Sequence, residues 1–211
     1  QGIKIGDPIV FKGIYRKLGD EGKVVARCFD DKVGVFLVAE ILRKFHSSIQ
    51  SNSANYPKLM GVSSVQEEIG GRGSIVSTYH VKPSIGIIFD VTSSTDVPHV
   101  KPETLGKADL GGGPIVYRGP NMNPKLSALF IETAKNLQIP IQIRAYPKAS
   151  PTDARHVQIS RAGVITQLIS IPNRYMHSTC EVVHLADLEA IITLTTEVLL
   201  NISPDLDFIP Y

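Results

Sequence analysis

Four short apolar segments in this 211-residue chain each run out at an acid or an imidazole, and that pattern narrows the folds open to it. Asp30 and Asp31 follow residues 23–29, and Glu67 and Glu68 follow residues 61–65. Asp90 follows residues 85–89, and His177 stands beyond residues 168–172. Each segment has the length and β-branched content of a buried strand. Between them lie stretches with helical spacing, such as Val33, Phe36, Leu37, Ile41 and Phe45. Strands alternating with helices imply crossover connections and a largely parallel mixed sheet flanked by helices, an α/β fold. In such sheets ligands bind outside the carboxyl ends of the strands. Asp, Glu, Glu, Asp and His gathered there is the pattern of a hydrolytic metal centre.

The remaining elements follow from local signals. Strands are expected over residues 3–5, 8–11 and 23–26, and again over 61–65, 85–89, 114–117, 139–146 and 164–171, with turns at Gly6-Asp7, Gly13 and Gly19-Asp20. Asp31 is placed to cap a helix starting near Lys32. Asn123-Pro124 opens a helix running to about residue 137, with Pro at its first turn. Thr152 or Asp153 caps a short helix, and Asp187 caps the last one. Residues 47–58 read as a loop, and 93–113 as the least regular stretch.

Composition excludes several classes. Net charge is +2 and no Lys/Arg cluster stands out, so nucleic acid is not a partner suggested by the chain. No apolar run approaches the length of a membrane span; the nearest, residues 191–200, is interrupted by Glu197 and three threonines. Cys28 and Cys180 are the only cysteines; they make no disulfide framework, and a reduced cytoplasmic setting is expected. Cys28 is expected in the core. The chain opens on Gln1 rather than Met, so the expectation is a start after cleavage or inside a longer gene product.

Two divalent cations held side by side need a bridging carboxylate and terminal ligands, and they bring the pKa of a shared water from 15.7 to about 7. A further carboxylate, free of metal, must take the water proton and pass it to the leaving amine. Adjacent glutamates can divide these tasks, because neighbouring side chains at a strand end point to opposite sides.

Ala26-Arg27-Cys28-Phe29-Asp30-Asp31-Lys32-Val33-Gly34, Val65-Gln66-Glu67-Glu68-Ile69-Gly70-Gly71-Arg72-Gly73, Phe89-Asp90-Val91-Thr92 and Pro172-Asn173-Arg174-Tyr175-Met176-His177-Ser178 together resemble the tetrahedral (TET-type) metallo-aminopeptidases. That family includes glutamyl, leucyl and deblocking enzymes, some once mislabelled as cellulases. Thr152-Asp153-Ala154 and Glu181-Val182-Val183 fit its pattern too, and the motifs run in family order over nearly the whole chain. The resemblance implies that Asp30 bridges two metals, that Glu68 and His177 complete one shell, and that Asp90 binds the other ion. It implies Glu67 as general acid/base, with Asp31 beside the site. The ions would be zinc or cobalt, with manganese an alternative. The implied function is removal of N-terminal residues from peptides by a metal-bridged hydroxide.

Two departures accompany it. Lys32 stands where the family more often has Arg. No His precedes His46, whereas the family has an N-terminal His-x-Asp motif whose His completes the Asp90 metal. Residues 1–20 look like the tail of the family's inserted β-rich dimerisation domain, and 21–211 like the catalytic domain without its N-terminal portion. The family forms dodecamers from dimers. For this chain alone the expectation is one tightly held ion and little peptidase activity. The competing readings are a related two-metal N-acyl amino acid deacylase or carboxypeptidase, and a catalytically incomplete fragment. His46, His80, His99, His156 and His184 read as surface residues, Asp205 and Asp207 as a solvated tail. The glycine-rich 70–73 segment reads as a turn positioning the glutamates rather than a phosphate loop, since no Lys-Ser/Thr follows.

Overall fold

A computed structural model describes residues 2–19, 22–49, 56–203 and 205–209. The second half of the expected Gly19-Asp20 turn, the boundary at 20/21 and residues 50–55 of the expected loop lie outside the described residues.

A four-stranded sheet forms the centre, in the order β3 (Ile85–Ser93), β6 (Ile165–Asn173), β4 (Ile115–Arg118), β5 (Gln142–Ala145). β3 runs parallel to β6 and β4 parallel to β5, while β4 is antiparallel to β6. The α/β class and the mixed, largely parallel sheet are therefore as expected. β6 is buried along almost its whole length, which is why it reads as a continuous apolar run rather than an alternating one.

Successive β6 side chains enter opposite layers. Ile169 and Ile171 meet the helices α1 (Phe29–Ser48), α4 (Pro124–Asn136) and α6 (Leu185–Asn201) through Leu37, Phe130, Leu194 and their neighbours. Leu168 points the other way, to Ile115, Tyr117, Met122 and Ala154. That second layer carries α2 (Arg72–Val81) and α5 (Ala154–Gln158); a short helix α3 (Pro102–Leu105) lies in the 93–113 stretch. Each fully buried Leu or Ile contributes about 1.5–3 kcal/mol, so the α1/α4/α6 layer is the main store of stability.

A separate antiparallel sheet orders β1 (Arg16–Leu18), β2 (Lys23–Ala26) and β7 (Glu181–His184). It leads β2 into the Asp30 segment. Val24 and Val183, paired across it, anchor it to the core.

Several expectations are corrected. Residues 3–5 and 8–11 form no strand; they are exposed and irregular, with apolar side chains such as Ile5 and Phe11 in solvent. Residues 61–65 also join no sheet. An apolar segment becomes a strand only where a neighbour completes its hydrogen bonds, and none of the described strands pairs with these. β3 continues past Asp90 to Ser93, so Asp90 lies inside the last part of the strand. Cys28 is half-buried rather than core, with φ 59. Asp187 does not cap α6. His184 does, its Nδ1 accepting from Ala186 N at 3.1 Å, while buried Asp187 accepts from Gly111 N and Gly113 N, both at 2.8 Å. Asn123 caps α4 as expected, accepting from Leu126 N at 2.9 Å. No helix of the described residues is long and apolar enough to cross a membrane.

Candidate metal centre

Asp30 reaches the site through the end of β2. Its backbone N–H donates to Glu181 Oε2 at 2.8 Å, and the same oxygen accepts from Asn173 Nδ2 at 3.3 Å. Glu181 is buried on β7 and Asn173 ends β6, so two sheets fix one backbone position. Neither residue is singled out for this by its sequence; a lone acid before two valines reads as strand. Asp31 then starts the regular part of α1, because Asp30 and Asp31 have non-helical angles. Its Oδ1 accepts from Gly34 N at 3.0 Å, the expected cap. Position 34 must be glycine here: a Cβ would sit 2.0 Å from Asp31 Oδ2.

Glu67 and Glu68 sit on a 3₁₀ turn, Glu67–Ile69, entered through Gln66 at φ 60. Gly70 N and Gly71 N both donate to Glu67 O at 2.9 Å, and Gly73 N donates to Val65 O at 2.9 Å. The glycine-rich segment is thus a turn that positions the glutamates. Gly71 is needed for φ 61 and because a Cβ would lie 2.1 Å from His156 Cδ2.

His177 follows β6 on a connection held at both ends. Arg174 and Val182 exchange backbone hydrogen bonds at 3.0 Å. The Arg174 guanidinium grips Asp96 through two bonds, of 2.9 and 2.6 Å. Burial alone would raise the Asp96 carboxyl, but donors from Arg174, Ser94 and Leu110 N hold it below its ordinary value.

These elements converge. His177 Nε2 lies 2.9 Å from Asp30 Oδ2 and 3.6 Å from Glu68 Oε2, and one donor atom from each residue falls within 4.8 Å of the others. Two carboxylates and an imidazole at that spacing are a donor set for a borderline or hard divalent cation. Glu67 and Asp90 line the same cleft of about 310 Å³, whose far wall carries Tyr117, Arg144 and Tyr146.

Burial and mutual repulsion raise the carboxylates of the cleft. Burial first, then Glu68, raises the Asp30 carboxyl to about 6, with His177 opposing. Burial and Asp153 raise Glu67 to about 7; burial and Asp30 raise Asp90 to about 8; burial and Asp90 raise Asp31 to about 9. Mutually repelling carboxylates in one cleft disfavour their own ionisation, and a cation among them reverses that. The other histidines stay apart from this cluster: His46 and His80 lie in last helical turns, His184 caps α6, and His156 packs on Gly71. Asp207 is exposed and pairs with Lys125 at 3.0 Å.

The molecule is an α/β domain with carboxylates and an imidazole converging on one cleft beside its central sheet. Comparison with solved structures narrows this to the catalytic domain of the TET aminopeptidases. The TET aminopeptidase of a marine sediment thaumarchaeote superposes with a TM-score of 0.87 at 30% identity, over 97% of this chain and 56% of that one. The Pyrococcus horikoshii TET1 peptidase, which assembles into a tetrahedron or a large octahedral shell, superposes at 0.70 with 26% identity, over 92% and 54% of the two chains. Residues 1–194 match the family described as M42 glutamyl aminopeptidase, and the chain belongs to that family. Among curated relatives, the lysyl aminopeptidase of Pyrococcus furiosus is 35% identical over 211 residues, covering 99% of this chain and 57% of the relative. The chain spans little more than half the length of the relatives it matches.

Proposed function

We propose that this chain carries the metal-binding and proton-transferring residues of a two-metal aminopeptidase. The observation that supports the reading most is the convergence of Asp30, Glu68 and His177 on one point, with Glu67 and Asp90 in the same cleft. Asp30, Glu68 and His177 would hold one ion, a count of three protein ligands that leaves a coordination position open. Asp30 would be shared with a second ion on the Asp90 side. Divalent ions there, zinc or cobalt with manganese an alternative, would acidify a water and polarise the scissile carbonyl.

The chain's own residues do the rest. Glu67 is adjacent to Glu68 but outside the three-donor cluster, so its carboxylate is free to take a proton and return it to the leaving amine. Its raised pKa, about 7, suits a group that must do both near neutrality. Asp31 caps α1 and lies beside the site. Residues 1–20 are read as part of a β-rich dimerisation domain and 21–211 as the catalytic domain. Assembly of the whole protein into a homo-oligomer, and a cytoplasmic location, complete the reading; the TET relatives support the first.

The test is an assay of the whole gene product on leucyl-, lysyl- and glutamyl-anilides and on N-acyl amino acids, with chelator and with added Zn²⁺ or Co²⁺. Chelator-sensitive release of the anilide amine supports the aminopeptidase reading. Cleavage of the N-acyl substrates alone would replace it with a deacylase.

A further inference from the structure

The helix α5 starts beside an Asp153 that does not cap it. Thr152 Oγ1 instead accepts from Ala154 N at 3.3 Å. The Asp153 carboxylate is buried and turned away from α5, toward the segment that carries the two glutamates. Oδ2 accepts from Ser64 Oγ at 2.5 Å, and Oδ1 accepts from Ser74 Oγ at 2.6 Å. Ser64 precedes Glu67 by one short stretch, and Ser74 sits in the first turn of α2 just after it. One buried carboxylate therefore closes the chain on both sides of the Glu67–Ile69 turn. The turn needs such a closure: it joins no sheet, it is largely exposed, and Gln66, Gly70 and Gly71 all take positive φ. Ordering exposed backbone of that kind costs conformational entropy, which local hydrogen bonds alone do not offset.

We propose that Asp153 is a positioning residue, clamping the 64–74 segment through Ser64 and Ser74 so that Glu68 meets Asp30 and His177 while Glu67 faces the cleft. This rests on the roles given above to Glu67 and Glu68. A serine O–H donated to a carboxylate is charge-assisted and directional, and Ser74 Oγ, which also lies 2.8 Å from Gly71 O, shares its one proton between the two acceptors. Groups that hydrogen-bond the ligands themselves typically alter metal affinity or activity by about 10–100-fold when removed, and a clamp on the segment that carries a ligand is expected to act in the same range. Asn at 153 keeps both contacts, since a serine hydroxyl accepts from an amide as readily as it donates to a carbonyl. Ala keeps neither.

The experiment compares Asp153→Ala, Asp153→Asn and Ser64→Ala with the parent chain by two readouts. The first is amide exchange at Gly70, Gly71 and Gly73, whose N–H groups bond Glu67 O and Val65 O, with Phe130 in α4 as a measure of global stability. The expected result is faster exchange at the three glycines by about 10-fold or more in Asp153→Ala, a smaller rise in Ser64→Ala, and little change in Asp153→Asn or at Phe130. The second is Zn²⁺ titration, expected to weaken about 10–100-fold in Asp153→Ala and to recover in Asp153→Asn. If Asp153→Ala leaves the glycines protected, or if Asp153→Asn behaves like Ala, the clamp is wrong. If the parent chain itself takes up no Zn²⁺, the metal reading fails, and the exchange data alone still decide the clamp. If Asp153→Ala does not fold, Ser64→Ala against the parent decides instead: faster exchange at the glycines supports the clamp, and unchanged exchange overturns it.

Discussion

His177 and Asp30 come from opposite ends of the chain, yet His177 Nε2 stands 2.9 Å from Asp30 Oδ2. The contact is built by pairing β2 with β7 and by seating Asp30 N on Glu181. The pair is thus fixed by backbone geometry in a small antiparallel sheet, outside the central one.

Glu67→Gln removes the proposed proton acceptor and leaves Glu68 in place. Zn²⁺ binding is expected to stay within a few-fold of the parent, while turnover of the whole gene product falls by about 10²–10⁴. Elemental analysis beside anilide kinetics checks both. Loss of metal together with loss of activity would reverse the two glutamate roles.

The carboxylates of the cleft set a pH dependence for the chelator-treated chain. Their folded-state values, about 6 for Asp30, 7 for Glu67, 8 for Asp90 and 9 for Asp31, all exceed the ordinary range. A carboxyl raised on folding contributes stability at low pH that is lost as pH rises through its folded value. The Tm of the chelated chain is therefore expected to fall between about pH 5 and pH 9, and added Zn²⁺ to flatten the slope. A chelated chain whose Tm is level or rising over that range would contradict the electrostatic picture.

Arg144 is almost wholly buried, and its guanidinium bonds Gly106 O, Ser93 O and Thr92 Oγ1 at 2.8–3.1 Å. Arg144→Met fills the space but strands Gly106 O and Ser93 O, at about 1–3 kcal/mol for each one left buried without a donor, while Thr92 Oγ1 keeps Tyr117 OH at 2.9 Å. Denaturant unfolding should show a loss of that size, with zinc binding retained. A neutral substitution would mean that solvent reaches the acceptors.

Asp187 joins the start of α6 to the 111–113 loop through two N–H bonds, of 2.8 Å each. Asp187→Ala leaves two amides without an acceptor and is expected to destabilise by about 2 kcal/mol or more, whereas removing a helix cap typically costs about 1. Thermal unfolding beside His184→Ala, the actual cap, separates the two effects.

What the sequence alone reveals depends on whether the signal is local. The β6 run, the Asn123-Pro124 helix start and the Asp31 cap need only near neighbours, and they stand where the residues put them. The 61–65 segment carries the same apolar content as a strand but lacks a partner among the described strands, and no sequence pattern reports that. Asp153 and Asp187 each precede a helical stretch, so both mimic caps, although their oxygens serve distant loops. Asp30, Glu67, Glu68, Asp90 and His177 were legible as a group because each follows an apolar segment and matches a family motif. That Glu181 and Asn173 hold Asp30 in register was not, since the contact depends on the pairing of two sheets.

The most direct measurement is calorimetric titration of Zn²⁺ into the chelator-treated chain and its Asp30→Ala, Glu68→Ala, His177→Ala and Asp90→Ala variants. The parent is expected to bind one ion tightly. Asp30→Ala, Glu68→Ala and His177→Ala should each lose that ion, while Asp90→Ala keeps it with at most a modest loss of affinity. Tight binding that survives in both Asp30→Ala and His177→Ala would contradict a metal centre built on these residues.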